Sequence, residues 1–185
     1  SLLPTLESIE PLYGQEQVLT ITGTNFASPA LEINVGAVRC AIIEQHFDRT
    51  ICRLTEIAAA ATVPLLVFQH PIGHALVLEP PHELTYRFEM QAFSIFPILG
   101  SVAGGQLVTI AGTGFTSSVS VVLGGIPCDV VFANVTAVVC ETRARPELAS
   151  IEVTATISAN NNNNDTAICC AYTFDETITP IFTSW

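Results

Sequence analysis

Short runs of aliphatic and β-branched residues, each closed by a turn residue, set the pattern of this chain. Leu31-Glu32-Ile33-Asn34-Val35 alternates strictly, which places Leu31, Ile33 and Val35 on one face of a strand. Val119-Ser120-Val121-Val122-Leu123 reads the same way. Ile151-Glu152-Val153-Thr154-Ala155-Thr156-Ile157 carries the clearest period of two, with Glu152, Thr154 and Thr156 turned to water. Val18 to Thr22 and Leu107 to Ile110 are short β-branched runs ended by glycine. Turns fall between these runs at Gly23, Gly36, Gly104-Gly105, Gly112, Gly124-Gly125 and Pro80-Pro81. Ala58 to Ala61 suits one helical turn, but no helical stripe persists long enough to build a layer. Many short strands at this spacing predict an all-β chain of β-sandwiches.

The strands come in two sets. Ser8-Ile9-Glu10-Pro11-Leu12-Tyr13-Gly14 returns as Ser94-Ile95-Phe96-Pro97-Ile98-Leu99-Gly100. Ile21-Thr22-Gly23-Thr24-Asn25-Phe26 returns as Ile110-Ala111-Gly112-Thr113-Gly114-Phe115. Val35-Gly36 with Cys40 and Cys52 returns as Leu123-Gly124 with Cys128 and Cys140, and Tyr86-Arg87-Phe88 as Tyr172-Thr173-Phe174. The offset drifts between 86 and 89 residues, which small loop insertions explain. A third start is expected at residues 178–185, where Pro180 to Trp185 matches Pro4 to Ile9 in spacing. The repeats predict domains at residues 4–88 and 92–174 within a longer array. The intervening Glu89 to Ala92 linker is short enough to limit relative freedom. Two segments do not repeat. His70 to Glu83 is rich in Pro and His, and Asn160 to Asn164 reads as a solvated hairpin tip.

Composition narrows the function. The chain of 185 residues is 49% hydrophobic and only 12% charged, which excludes disorder. Its net charge is −11, from 17 acids against six basic residues, all of them arginine. Such a chain offers no cationic face to displace counterions, so nucleic acid is excluded as a partner. The longest apolar run, Ile57 to Phe68, is broken by Thr62 and Pro64 and is too short to cross a bilayer. No direct membrane insertion is expected of this segment.

Cys40 and Cys52 lie twelve positions apart, as do Cys128 and Cys140. That repetition makes one disulfide per domain the leading reading, with zinc and a free buried thiol pair as competitors. Disulfides imply an oxidising compartment. Cys169-Cys170 has no counterpart in the first copy, and strand alternation would send the two side chains to opposite faces. A bridge between neighbours, a cross-link to another chain and two unpaired thiols all remain open. Asn134-Val135-Thr136 and Asn164-Asp165-Thr166 satisfy the N-glycosylation pattern and fall in predicted loops.

Catalytic constellations are not evident. His70 and His74 have a metal-like spacing only if helical, and Pro71 and Gly73 argue against a helix there; with His82 they read as loop histidines. Gly112-Thr113-Gly114-Phe115 lacks the Lys-Ser/Thr and the helix of a phosphate loop, so it reads as a turn with Phe115 in the core. The acids are scattered, and no nucleophile elbow is present. No catalytic, metal-binding or cofactor-binding residue is assigned, and no enzyme is expected.

The succession S-I-x-P-x-x-G, T-I-x-G-T-x-F, V-G-x-x-x-C, a second Cys and Y-x-F resembles the IPT/TIG family. These are immunoglobulin-like domains of the E-set type, found in plexins, Met-type receptors and the fibrocystin group. The resemblance covers nearly the whole chain; the first copy departs in having Gln15-Glu16 in place of a double glycine and Ala37 in place of the second later one. It implies tandem immunoglobulin-like sandwiches with Cys40–Cys52 and Cys128–Cys140 bridges, in an ectodomain or extracellular filament. The function expected is a non-enzymatic extracellular structural or interaction module of a long cell-surface or filament-forming glycoprotein. It would serve as a receptor stalk or a surface appendage such as a ciliary or flagellar one. Its partners would be neighbouring repeats, other extracellular proteins or copies of itself, together with N-glycans. The alternative is a non-catalytic carbohydrate-binding or accessory domain of a secreted enzyme, or a ligand-binding stalk.

Overall fold

A computed structural model describes residues 2–15, 18–77, 83–147, 149–159 and 165–178. The chain divides into two compact units, Ser1–Glu89 and Met90–Trp185. Among the described residues every regular element is a strand. The first unit holds β1 (Thr5–Glu10), β2 (Tyr13–Gly14), β3 (Val18–Thr24), β4 (Leu31–Val35), β5 (Val38–Gln45), β6 (Arg49–Leu54), β7 (Ala61–Gln69), β8 (Gly73–His74), β9 (Leu76–Val77) and β10 (Thr85–Phe88). The second holds β11 (Gln91–Phe96), β12 (Leu99–Ser101), β13 (Leu107–Thr113), β14 (Val119–Leu123), β15 (Ile126–Ala133), β16 (Ala137–Thr142), β17 (Ile151–Ala159) and β18 (Thr166–Asp175).

Within the first unit the hydrogen-bonded path runs β2-β10-β7-β4-β5-β6-β3-β1-β9, with β8 pairing β7. The tight β4–β5 hairpin carries the path from one layer, β2-β10-β7-β4, to the other, β5-β6-β3-β1. The second unit repeats the order as β12-β18-β17-β14 and β15-β16-β13-β11. Alternating side chains from both layers meet in one core. In the first unit Leu19 and Ile21 of β3, Ile33 and Val35 of β4, Val67 of β7 and Tyr86 and Phe88 of β10 are all buried in a single cluster. This is the sandwich arrangement that the period-two runs demand, because each strand has one apolar face to cover.

The recurring motifs acquire physical roles here. In S-I-x-P-x-x-G the chain leaves one layer for the other. Ser8 and Ser94 still pair in the first strand, whereas Gly14 and Gly100 run parallel to β10 and β18 on the opposite layer. Pro11 and Pro97 lack an amide hydrogen and so end the first strand's ladder. Gly100 is buried and its Cα faces the Tyr172 hydroxyl so closely that any Cβ would overlap it. In T-I-x-G-T-x-F the phenylalanine folds back over the glycine. A Cβ on Gly23 would strike the Thr5 carbonyl and the Phe26 ring, and one on Gly112 the Gln91 carbonyl and the Phe115 ring. In Y-x-F both aromatics point inward from alternate positions, Tyr86 and Phe88 meeting edge to face at 5.0 Å, as do Tyr172 and Phe174. Burial pushes the Tyr172 hydroxyl pKa up, partly opposed by a hydrogen bond with Thr142.

One expected element is absent: Ala58–Ala61 does not form a helical turn. Ala60 is buried and Ala61 opens β7. Four alanines are too few to nucleate a helix, and the chain instead uses them to enter the sheet. The Asn160 to Asn164 tip, Pro80-Pro81, His82 and nearly all of the third start lie outside the described residues.

Candidate functional site

What could act in this molecule lies in its cross-links and in the faces its two copies do not share. Cys40 and Cys52 are both buried and bonded, with Cα atoms 5.3 Å apart; Cys128 and Cys140 match them at 5.5 Å. Each bridge joins adjacent antiparallel strands diagonally. Cys40 lies opposite Leu54 and Cys52 opposite Ile42, and the second pair repeats this with Thr142 and Val130. All four cysteines alternate inward, so the bridge belongs to the core. Among the described residues there is no group of three or more His, Cys, Asp or Glu side chains that could hold a metal.

Cys169 and Cys170 are bonded to each other. The strict alternation expected of them breaks because Ala155 pairs with Cys169 and Thr154 with Ala171, leaving Cys170 as the extra residue of a β-bulge. Cys170 takes a φ of +45°, which brings neighbouring side chains together. The ring is half-exposed beside Ile168 on β18, and closed in this way neither sulfur is a thiol available to another chain.

His70 and His74 do not converge as ligands. They flank the Phe68 ring edge-on at 4.5 and 4.9 Å, and His70 Nε2 lies 3.3 Å from Glu32 Oε2. Hydrogen bonds from Asn34 first, then His70, hold the exposed Glu32 carboxyl below its usual range.

The profile of the IPT/TIG domain matches residues 4–78 and 93–174. The chain belongs to the IPT/TIG domain family. Mouse fibrocystin-L is 28% identical over 185 residues, a match that covers all of this chain and 4% of that protein. Human plexin-B1 is 27% identical over 164 residues, covering 81% of this chain and 8% of plexin-B1. A solved structure of the plexin A4 full extracellular region is similar at 20% identity and a TM-score of 0.41, covering 92% of this chain and 18% of that one. The chain therefore spans a small fraction of the length of the curated relatives it matches.

The two IPT/TIG domains differ in the outer face of their first-strand layers, each taken within its own domain. In the second domain Phe96 pairs with Thr109, Thr109 with Val139, and Val139 with Phe132, a row across four strands. Phe93, at the bulge of β11, adds to it. Phe93, Phe96 and Phe132 are 62%, 76% and 53% exposed, far more than core aromatics allow, so the face is apolar and uncovered within this domain. In the first domain the same positions are Glu7, Glu10 and Glu44, by the same pairings through Thr20 and Ile51. Glu44 there sits 2.5 Å from His46 and 3.8 Å from Arg49. Its carboxyl is held below the usual range chiefly by the His46 hydrogen bond. At the end of the β15–β16 hairpin away from its turn, Arg143 grips Asp129 with two hydrogen bonds of 2.8 and 2.6 Å, which lowers the pKa of that exposed acid.

Asn134 closes the β15–β16 hairpin at one end of this face. Its amide donates to the Ala137 carbonyl at 2.9 Å. Its side-chain Oδ1 accepts from the Thr136 amide at 2.9 Å, the Ala137 amide at 2.8 Å and the Thr136 hydroxyl at 3.2 Å. The carbonyl end of the amide is thus fully engaged, while Nδ2 points away on an exposed residue. Sequence reasoning found Asn134 but missed the face beside it, because Phe132 is 36 positions from Phe96 and only strand pairing aligns it with Phe93 and Phe96.

Proposed function

We propose that this chain is a non-enzymatic extracellular segment, two IPT/TIG domains of a long multi-repeat cell-surface or filament-forming glycoprotein. It spaces and stiffens its parent and contacts neighbouring repeats, other extracellular proteins or copies of itself. The observation that carries the reading is the pair of equivalent core disulfides. Two bridges at the same strand positions in successive domains need an oxidising compartment to form and persist. The recurring residues all serve folding, and what differs between copies lies on the surface, as expected of modules that work by contact. The reach of the fibrocystin-L match over the whole chain supports the long-array reading. We take Asn134 and Asn164 as N-glycan sites of this glycoprotein; Asn164 itself lies outside the described residues. Placement on a receptor stalk or on a ciliary or flagellar appendage is a finer form of the same proposal.

A second reading, a carbohydrate-binding accessory module, is favoured by one observation: Phe93, Phe96 and Phe132 expose apolar rings on one face, as sugar stacking requires. Disulfide mapping tests the main reading. Protein secreted from a eukaryotic host, or isolated from its source, is expected to yield peptides joined through Cys40–Cys52 and Cys128–Cys140 under non-reducing conditions. Finding either pair reduced in the native protein would remove the extracellular placement.

A further inference from the structure

We propose that Phe132 is the stacking platform for the first sugar of an N-glycan on Asn134, and that the glycan core lies over the apolar outer face of the second domain. The inference rests on the glycoprotein reading above and adds to it a place for the glycan to lie. Phe132 precedes Asn134 by two residues along β15 and its turn, so both side chains leave the same face of the sheet, roughly 6.5 Å apart. Phe132 opposes Val139 in the ladder, and just past its last pair the Asn134 amide donates to the Ala137 carbonyl and closes the turn. Oδ1 is held by Thr136 and Ala137, which fixes the side-chain amide and presents Nδ2. In glycosylation Nδ2 bonds to the anomeric carbon of a lipid-linked oligosaccharyl diphosphate. The bond from that carbon to the diphosphate oxygen breaks, the diphosphate leaves with the electron pair, and one Nδ2 proton is released. The C–H-rich face of the attached sugar then meets an aromatic ring whose exposure would otherwise be unfavourable in a stable soluble domain.

The contrast between copies argues for this occupant over others. The position equivalent to Asn134 is His46, with Asp48 where Thr136 stands, so the first domain has no acceptor there. The equivalents of Phe93, Phe96 and Phe132 are all glutamates. Acceptor and apolar face are present together in one copy and absent together from the other.

The test uses the full chain secreted from a glycosylating eukaryotic host, with Asn164→Gln throughout to leave one sequon. Molecules carrying and lacking the Asn134 glycan are separated on a lectin column and compared at identical sequence. Glycan is expected on the Asn134 peptide by mass spectrometry, with a Tm gain of about 4 °C or more over the unoccupied form. The N-acetyl methyl resonance of the first sugar should be shifted upfield by the ring. Both effects should vanish in Phe132→Thr, whose occupancy should also fall. If Phe132→Thr is not secreted, the Phe132 chain trimmed to one sugar by an endoglycosidase supplies the same two readouts. No glycan on Asn134 would overturn the glycoprotein reading at that site together with this inference. A glycan with equal Tm gains in both chains, or an unshifted methyl, would overturn the stacking alone and leave the modification standing. Saturable binding of free chitobiose to the Asn134→Gln chain, lost in Phe132→Thr, would show that the face takes sugar from outside and overturn the proposal in favour of the carbohydrate-binding reading.

Discussion

At Gly112 the backbone of β13 passes beneath the Phe115 ring and beside the Gln91 carbonyl, leaving no room for a Cβ. The same geometry at Gly23 involves Phe26 and Thr5. These glycines let a large aromatic turn back into the core one residue beyond a tight corner, which is why the motif couples Gly to Phe rather than to any apolar residue. Gly112→Ala is expected to destabilise the second domain by about 1–3 kcal/mol through overpacking, because backbone oxygen and ring must both give way. Urea unfolding monitored on that domain checks it, and a cost near zero would mean the turn is looser than its contacts imply. The glycine was legible in the sequence only as a turn residue; its partner ring was not, since a one-dimensional pattern carries no information on which side chain folds back over which backbone atom.

The β5–β6 and β15–β16 hairpins combine a covalent staple with a bulge and a tight turn. Each bridge spans a sequence separation of 12 within one hairpin, so it constrains a short loop of the unfolded chain. Replacing Cys128 and Cys140 together by alanine is expected to cost about 3 kcal/mol, the chain-entropy value for a loop of this length. The expected signature is a lowered urea midpoint for the second domain with that of the first unchanged. A loss in both would show that the bridges stabilise more than their own hairpins. The cysteine spacing was legible because it repeats; the bulge at Cys170 was not. It arises from a register shift between β17 and β18, and register is set by how two strands pair rather than by the alternation within either one. The same dependence hid the phenylalanine row, which exists only once β11, β13, β16 and β15 are aligned.

Each IPT/TIG domain encloses its own core, with its own bridge, strand-switch glycine and buried Tyr–Phe pair. Ser1–Glu89 and Met90–Trp185 expressed separately are each expected to fold and to unfold in a single cooperative urea transition. Failure of either half to give a folded baseline would show that its core is incomplete alone. The molecule as a whole carries a net charge of −11, and its acids are spread over both domains. The cationic residues near them are engaged locally, as Arg143 is with Asp129 and Arg49 with Glu44. The second domain alone replaces surface glutamates by exposed phenylalanines, so the two modules share a core and differ in the faces they offer.

The sequence by itself determined the all-β class, the tandem period, the inward positions of the strands and the cysteine spacing. These follow from local alternation and from repetition, both of which are properties of one dimension. Tertiary structure alone decided which glycine lies beneath which ring and where the vicinal cysteines meet. It also decided that three phenylalanines and one asparagine occupy a single face. The face depends on strand order and register, which bring Phe93 and Phe96 beside Phe132 from tens of positions away. The ring over its glycine and the vicinal bridge depend on local departures from extended backbone, which a period-two pattern does not encode.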